Sequence, residues 1–104
     1  MEYKVLITQH AKDDLINCLI YLAFDKKNSQ AAESVELDFY DTLDKLPYMA
    51  NSFSLIATKL NKYGFRKIPF VNKHNYYLIY HIDEKNQVIV DRMYHDLQNP
   101  PNIG

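Results

Sequence analysis

The sequence predicts an α+β domain in which an N-terminal strand and an antiparallel helical hairpin precede a C-terminal three-stranded meander, the hairpin packing on a mainly antiparallel sheet. Two observations carry this. Apolar residues recur at intervals of three and four over two stretches of the first half, and from Tyr63 the period changes to two. Composition agrees: 104 residues, 47% hydrophobic and 24% charged, lie within ordinary globular usage. Nine Tyr and five Phe against two Gly favour an aromatic-rich core over a disordered chain. Residues 1–104 should form one domain, large enough for a core without metal or disulfide staples.

Tyr3 to Thr8, with Val5, Leu6 and Ile7, is short, β-branched and followed by a polar stop, as a buried strand would be. From Ala11 to about Phe24 a helix is expected, with Ala11, Leu15, Leu19 and Leu22 as its apolar stripe and Ile16, Ile20 and Ala23 widening it. Thr8 is its cap: a hydroxyl there can accept a first-turn amide. Asp13 and Asp14 sit near the positive end of the helix dipole. Asn28 and Ser29 suit the start of a second helix, whose stripe is Val35, Phe39, Leu43 and Leu46 and which Pro47 should end. Ala31 and Ala32 permit close approach to the first helix. Glu33, Glu36, Asp38, Asp41 and Asp44 should form a solvated outer face.

Residues Pro47 to Lys62 are a long connection in which Ser54 to Leu60 is either a helical turn, anchored by Leu55, Ile56 and Leu60, or a mobile flap. Tyr63–Phe70, His74–Asp83 and Gln87–His95 are then three strand-like runs, the last two separated by a turn of Asp83, Glu84, Lys85 and Asn86. The tail from Leu97, with Pro100 and Pro101, continues neither helix nor strand.

One cysteine, Cys18, excludes an intramolecular disulfide and a thiolate zinc site. It reads as a small buried hydrophobe. Leu15 to Phe24 is too short and too interrupted for a membrane helix, and the N-terminus lacks the plan of a signal peptide. The expectation is a soluble, cytoplasmic protein with no membrane contact, no metal and no cofactor. His10, His74 and His81 have no helical ligand spacing and read as structural or surface groups.

The net charge of −1 hides an asymmetry, with −4 over residues 1–50 and +3 over residues 51–104. Lys59, Lys62, Arg66, Lys67 and Lys73 follow one another with no acidic residue between them. Such a segment can bind a polyanion or an acidic partner, or serve only as a solvated sheet face. Alternation places Arg66, Ile68 and Phe70 on one face of their strand and Phe65 and Lys67 on the other. On the last strand, Val88, Val90, Arg92 and Tyr94 alternate with Ile89, Asp91, Met93 and His95, so Arg92 and Tyr94 point the same way and His95 points the other way unless a bulge or the strand end re-aims it. Metal-free RNA cleavage needs a base, cations on the phosphate and a proton donor. Arg66, Lys67, Arg92, Tyr94 and His95 have the chemistry for those roles, and equally for phosphate binding. Tyr76, Tyr77 and Tyr80 read mainly as core and edge packing.

The order of elements, with the segments Tyr3–Ala23, Ala31–Tyr48, YGFRKIPF, YYLIYHID and VIVDRMYHDLQNP, resembles the RelE/ParE family of bacterial type II toxins over nearly the whole chain. That resemblance implies a toxin neutralised by a cognate antitoxin, with which it forms a hetero-oligomer. Two mechanisms live on this fold: RelE-like members cut mRNA on the ribosome, and ParE-like members poison DNA gyrase. By position, Arg66 matches the family's basic residue on the second strand, and Arg92, Tyr94 and His95 match its C-terminal cluster. RelE-like nucleases carry an arginine on the central strand where this sequence has Tyr77. A phenol cannot replace a guanidinium on a phosphate, which favours the ParE-like mechanism. A degenerate toxin that acts only as an antitoxin-binding module is the third alternative.

Overall fold

The computed structural model describes residues 2–56, 64–72 and 75–95. Its elements are β1 (Lys4–Ile7), α1 (Gln9–Ile20), a π-helical turn (Tyr21–Asp25), α2 (Ser29–Met49), a 3-10 turn (Ala50–Ser52), β2 (Arg66–Pro69), β3 (Tyr76–Ile82) and β4 (Gln87–His95). The sheet order is β1-β4-β3-β2: β2, β3 and β4 form the antiparallel meander, and β1 lies parallel to β4. A parallel neighbour requires a crossover, and the helical hairpin supplies it.

Local chemistry accounts for the helix starts. Thr8 Oγ1 accepts the Ala11 N–H at 3.1 Å and Asn28 Oδ1 accepts the Ala31 N–H at 3.0 Å, each satisfying a first-turn donor. The buried stripe of α1 is narrower than the sequence implies. Ala11 and Leu15 are buried, and Cys18, Leu19 and Leu22 pack partly against the core. Ile16 and Ile20, expected to widen the stripe, are about half exposed.

Helix α2 does not end at Leu46. It runs through Pro47 to Met49, carrying the fully buried Leu46 towards Ala50, which is also fully buried. A proline in the last turn costs one hydrogen bond, and burial of these two anchors outweighs it. The Pro47 carbonyl accepts the Tyr3 N–H at 2.8 Å, which ties α2 to the start of the chain. Asp38 also departs from the solvated face expected of it. It is buried with Thr42: Thr42 Oγ1 donates to the Asp38 carbonyl at 2.7 Å, and Asn72 Nδ2 donates to Asp38 Oδ1 at 3.4 Å. This polar stripe meets the turn that follows β2, since Val71 N–H also reaches Thr42 Oγ1.

The helix-covered core comprises Ala11, Leu15, Val35, Phe39, Leu46, Ile68, Phe70, Leu78, Tyr80, Val88, Val90 and Met93, among others. A smaller cluster of Tyr77, Ile79 and Tyr94, with Ile56 and Phe65 against it, lies on the opposite sheet face. Of the stretch expected to be a helical turn or flap, Ser54–Ile56 is extended. Leu55 bridges Arg66, and Ile56 N–H bonds the Phe65 carbonyl at 2.9 Å; the rest lies outside the described residues.

A β-bulge changes the alternation of β4. Tyr80 pairs with Val90 but Ile79 pairs with Arg92, so Asp91 is the extra residue. Val88 and Val90 therefore face the helices as expected, but beyond the bulge Met93 takes the core face, while Arg92 and Tyr94 turn to the other.

Candidate functional site

Where β1 ends, α1 takes over as the neighbour of β4. Thr8 N–H bonds the Val90 carbonyl at 3.1 Å and Thr8 Oγ1 donates to the bulged Asp91 carbonyl at 2.9 Å. Nearly two turns on, Asp14 stands where a strand would continue. Its Oδ2 accepts the Met93 N–H at 3.0 Å and Arg92 Nε–H at 2.7 Å, and its Oδ1 accepts Arg92 Nη2–H at 3.0 Å. This bidentate contact pushes the Arg92 guanidinium above its usual range, with burial acting the other way. The guanidinium carbon lies 5.2 Å from the centroid of the Tyr94 ring.

Between α1 and the end of β4 opens a groove of about 660 Å³, lined by Asp14, Cys18, Tyr21, Lys26, Tyr76 and His95 together with Arg92, Met93 and Tyr94. Lys26 Nζ is 5.6 Å from the centroid of Tyr21, and the His95 ring meets Tyr76 edge-on at 4.7 Å. Burial pushes the Cys18 thiol up and the Tyr76 phenol up to about 12, and a hydrogen bond joins the two.

The residues singled out from the sequence separate into two groups. Arg92, Tyr94 and His95 border this groove. Arg66 does not. It faces the helices with Ile68 and Phe70, donates from Nη1 to the Phe53 carbonyl, and lies near the Tyr80 phenol, which burial raises to about 12. Lys67, on the opposite face, places its ammonium 4.1 Å from the centroid of the buried Tyr77 ring. Lys59, Lys62 and Lys73 lie outside the described residues. Tyr94 is 7% exposed, its hydroxyl is buried with no hydrogen-bond partner among the described residues, and burial raises its phenol.

Two features escape the sequence. Asp14 has no signal there beyond its place near the start of a helix, yet it is the acceptor that fixes Arg92; the contact spans 78 positions, and nothing local marks it. The second is a pair at the bulge, where His81 Nδ1 lies 2.6 Å from Asp91 Oδ2 and the imidazole packs edge-on against Phe65. Burial raises the Asp91 carboxyl and His81 opposes that rise. Among the described residues no group of three or more His, Cys, Asp or Glu could hold a metal ion, and no helix is long and apolar enough to cross a membrane.

No curated protein sequence matches this chain significantly. Among solved structures it is similar to the chromosomal ParDE toxin–antitoxin system of P. aeruginosa. The TM-score is 0.69 at 14% identity, covering 90% of this chain and 96% of that one, which establishes the shared fold. The model of the family described as the ParE toxin of the type II toxin-antitoxin system parDE matches residues 5–100, nearly the whole sequence. Matched over nearly its whole length, the chain belongs to the ParE toxin family of type II toxin–antitoxin systems.

Proposed function

We propose that this protein arrests bacterial growth by poisoning DNA gyrase and is held inactive by a cognate antitoxin. Family membership over residues 5–100 is the observation that carries the reading. The separation of Arg66 from Arg92, Tyr94 and His95, which border one groove, supports the choice of mechanism. Arg66 is engaged with the Phe53 carbonyl on the helix side, whereas Arg92 is engaged with Asp14 near the opposite face. The Tyr94 hydroxyl is buried, and Tyr77 occupies the position of the cation that RelE-like nucleases place on the central strand. A cation and a proton donor act on one phosphate only when they converge on it.

The test pairs two assays on the purified protein. In a gyrase assay it should block supercoiling and trap cleaved DNA, and with programmed ribosomes it should yield no RNA fragments. Codon-phased mRNA cleavage would instead establish the nuclease mechanism. A protein silent in both assays and harmless when expressed alone would be an antitoxin-binding module.

A further inference from the structure

We propose that the groove between α1 and the end of β4 is the docking site for an acidic segment of the antitoxin. An apolar side chain of that segment enters beside Cys18 and Tyr76, and a neighbouring carboxylate meets Lys26 and Arg92. The inference rests on the toxin–antitoxin reading and adds to it a location and a chemistry.

Size and lining fit a side-chain anchor. A groove of about 660 Å³ falls in the range that holds small ligands and inserted side chains, and Cys18, Leu22, Tyr76 and Met93 give it an apolar wall. Charge decides what kind of segment enters. Among the described residues the one carboxylate in the wall, Asp14, already accepts three N–H groups. Lys26 has no ion pair among the described residues, and Arg92 uses Nε and Nη2 on Asp14, leaving Nη1 for a further acceptor. A guanidinium held by one carboxylate is already oriented, so a second carboxylate gains its charge-assisted bond with little further ordering.

A smaller groove, of about 320 Å³ on the outer side of the hairpin, provides the contrast. It is lined by Leu19, Ile20, Ala23, Phe24 and Ala32, but Glu33 and Glu36 rim it, and like charge would repel an acidic segment. Charge complementarity therefore selects the first groove over the second.

Cys18 makes the proposal measurable, because it is the chain's single cysteine and lines the groove. The experiment co-purifies the chain with the protein encoded by the neighbouring reading frame and follows maleimide modification of Cys18 in the free chain and in the complex. Docking in the groove should slow modification at least tenfold. Lys26→Glu, on an exposed position, should weaken the complex about tenfold and flatten its salt dependence. Lys85→Glu, in the turn at the other end of β4, should leave affinity unchanged. Cys18→Phe, which fills the groove, should weaken the complex while preserving the fold, and if it does not fold, Lys26→Glu decides. A stable complex in which Cys18 stays as reactive as in the free chain would overturn the groove proposal and leave the toxin–antitoxin reading standing. Protection that appears in the free chain as its concentration rises would assign the groove to a second copy instead. A folded chain that forms no complex would overturn both.

Discussion

Replacing Asp14 by alanine should destabilise the fold far more than its place on a helix surface suggests. Asp14 does two things at once: it closes an ion pair with Arg92 and it accepts the main-chain N–H of Met93 where β1 no longer runs beside β4. Met93 is 4% exposed, so without Asp14 its amide is left unpaired and nearly dry, at a cost of about 1–3 kcal/mol. The ion pair adds less, because Arg92 is 37% exposed and partly screened by solvent; about 0.2–1 kcal/mol is appropriate. The expected loss is therefore about 1–4 kcal/mol, or roughly 5–30 °C in melting temperature for a domain of this size. Arg92→Ala keeps the Met93–Asp14 bond and should cost only about 1 kcal/mol. Asp14→Asn retains an acceptor for Met93 but turns an amide against the guanidinium, so it should fall between the two. Urea titration of the three variants and of the double alanine variant, followed by circular dichroism, measures each loss and the coupling. The reasoning fails if Asp14→Ala costs no more than Arg92→Ala, because the buried Met93 amide would then contribute little to the loss.

Phe39→Ala should cost about 3–5 kcal/mol, since the ring is 1% exposed and packs edge-on against Phe70 at 6.1 Å; thermal melting measures it. Tyr80→Phe should cost about 1 kcal/mol, the contribution of the hydroxyl's 2.6 Å bond to the Ala50 carbonyl, read from the same melts. Burial raises the Tyr76 and Tyr80 phenols from 10.0 to about 12 in the folded chain, so the neutral forms are favoured by folding. That stability is fully present below pH 10 and is lost as pH rises towards 12, and ultraviolet titration should show Tyr76 and Tyr80 ionising late in the native protein. His81→Ala should raise the Asp91 carboxyl further, because the contact that opposes desolvation is gone; carboxyl ¹³C titration by NMR would register the upward move. A raised carboxyl favours the folded state in acid, and the advantage falls as pH rises through the folded value, so the variant should lose more stability between acid and neutral pH than the wild type.

Much of this molecule is legible locally. The caps at Thr8 and Asn28, the stripe of Val35, Phe39 and Leu46, and the span Gln87–His95 of β4 all follow from interactions within a turn or from side-chain period. These are near-neighbour effects, so the order of residues contains them. The separation of Arg66 from Lys67 on β2 is legible for the same reason.

Other features depend on what lies across the fold. Period can say that one side of α1 is apolar, but not that Ile16 and Ile20 stay exposed beside the buried Leu15. Asp38 follows the pattern of a solvated carboxylate until the turn after β2 brings Asn72 to it. Pro47 stops an isolated helix, whereas burial of Leu46 and Ala50 carries this one onward. The bulge at Asp91 belongs to the pairing of β3 with β4, and it decides that Met93 joins the core while Arg92 and Tyr94 turn away from it. The groove depends on a contact between residues 14 and 92, set by the crossover that makes β1 parallel to β4. Helices, strands and caps thus follow from residue order, through sterics and hydrogen bonds acting within a few positions. Which polar groups are buried, which cations stay available and where the groove opens follow from the packed fold, because desolvation and charge pairing depend on neighbours that chain order does not specify.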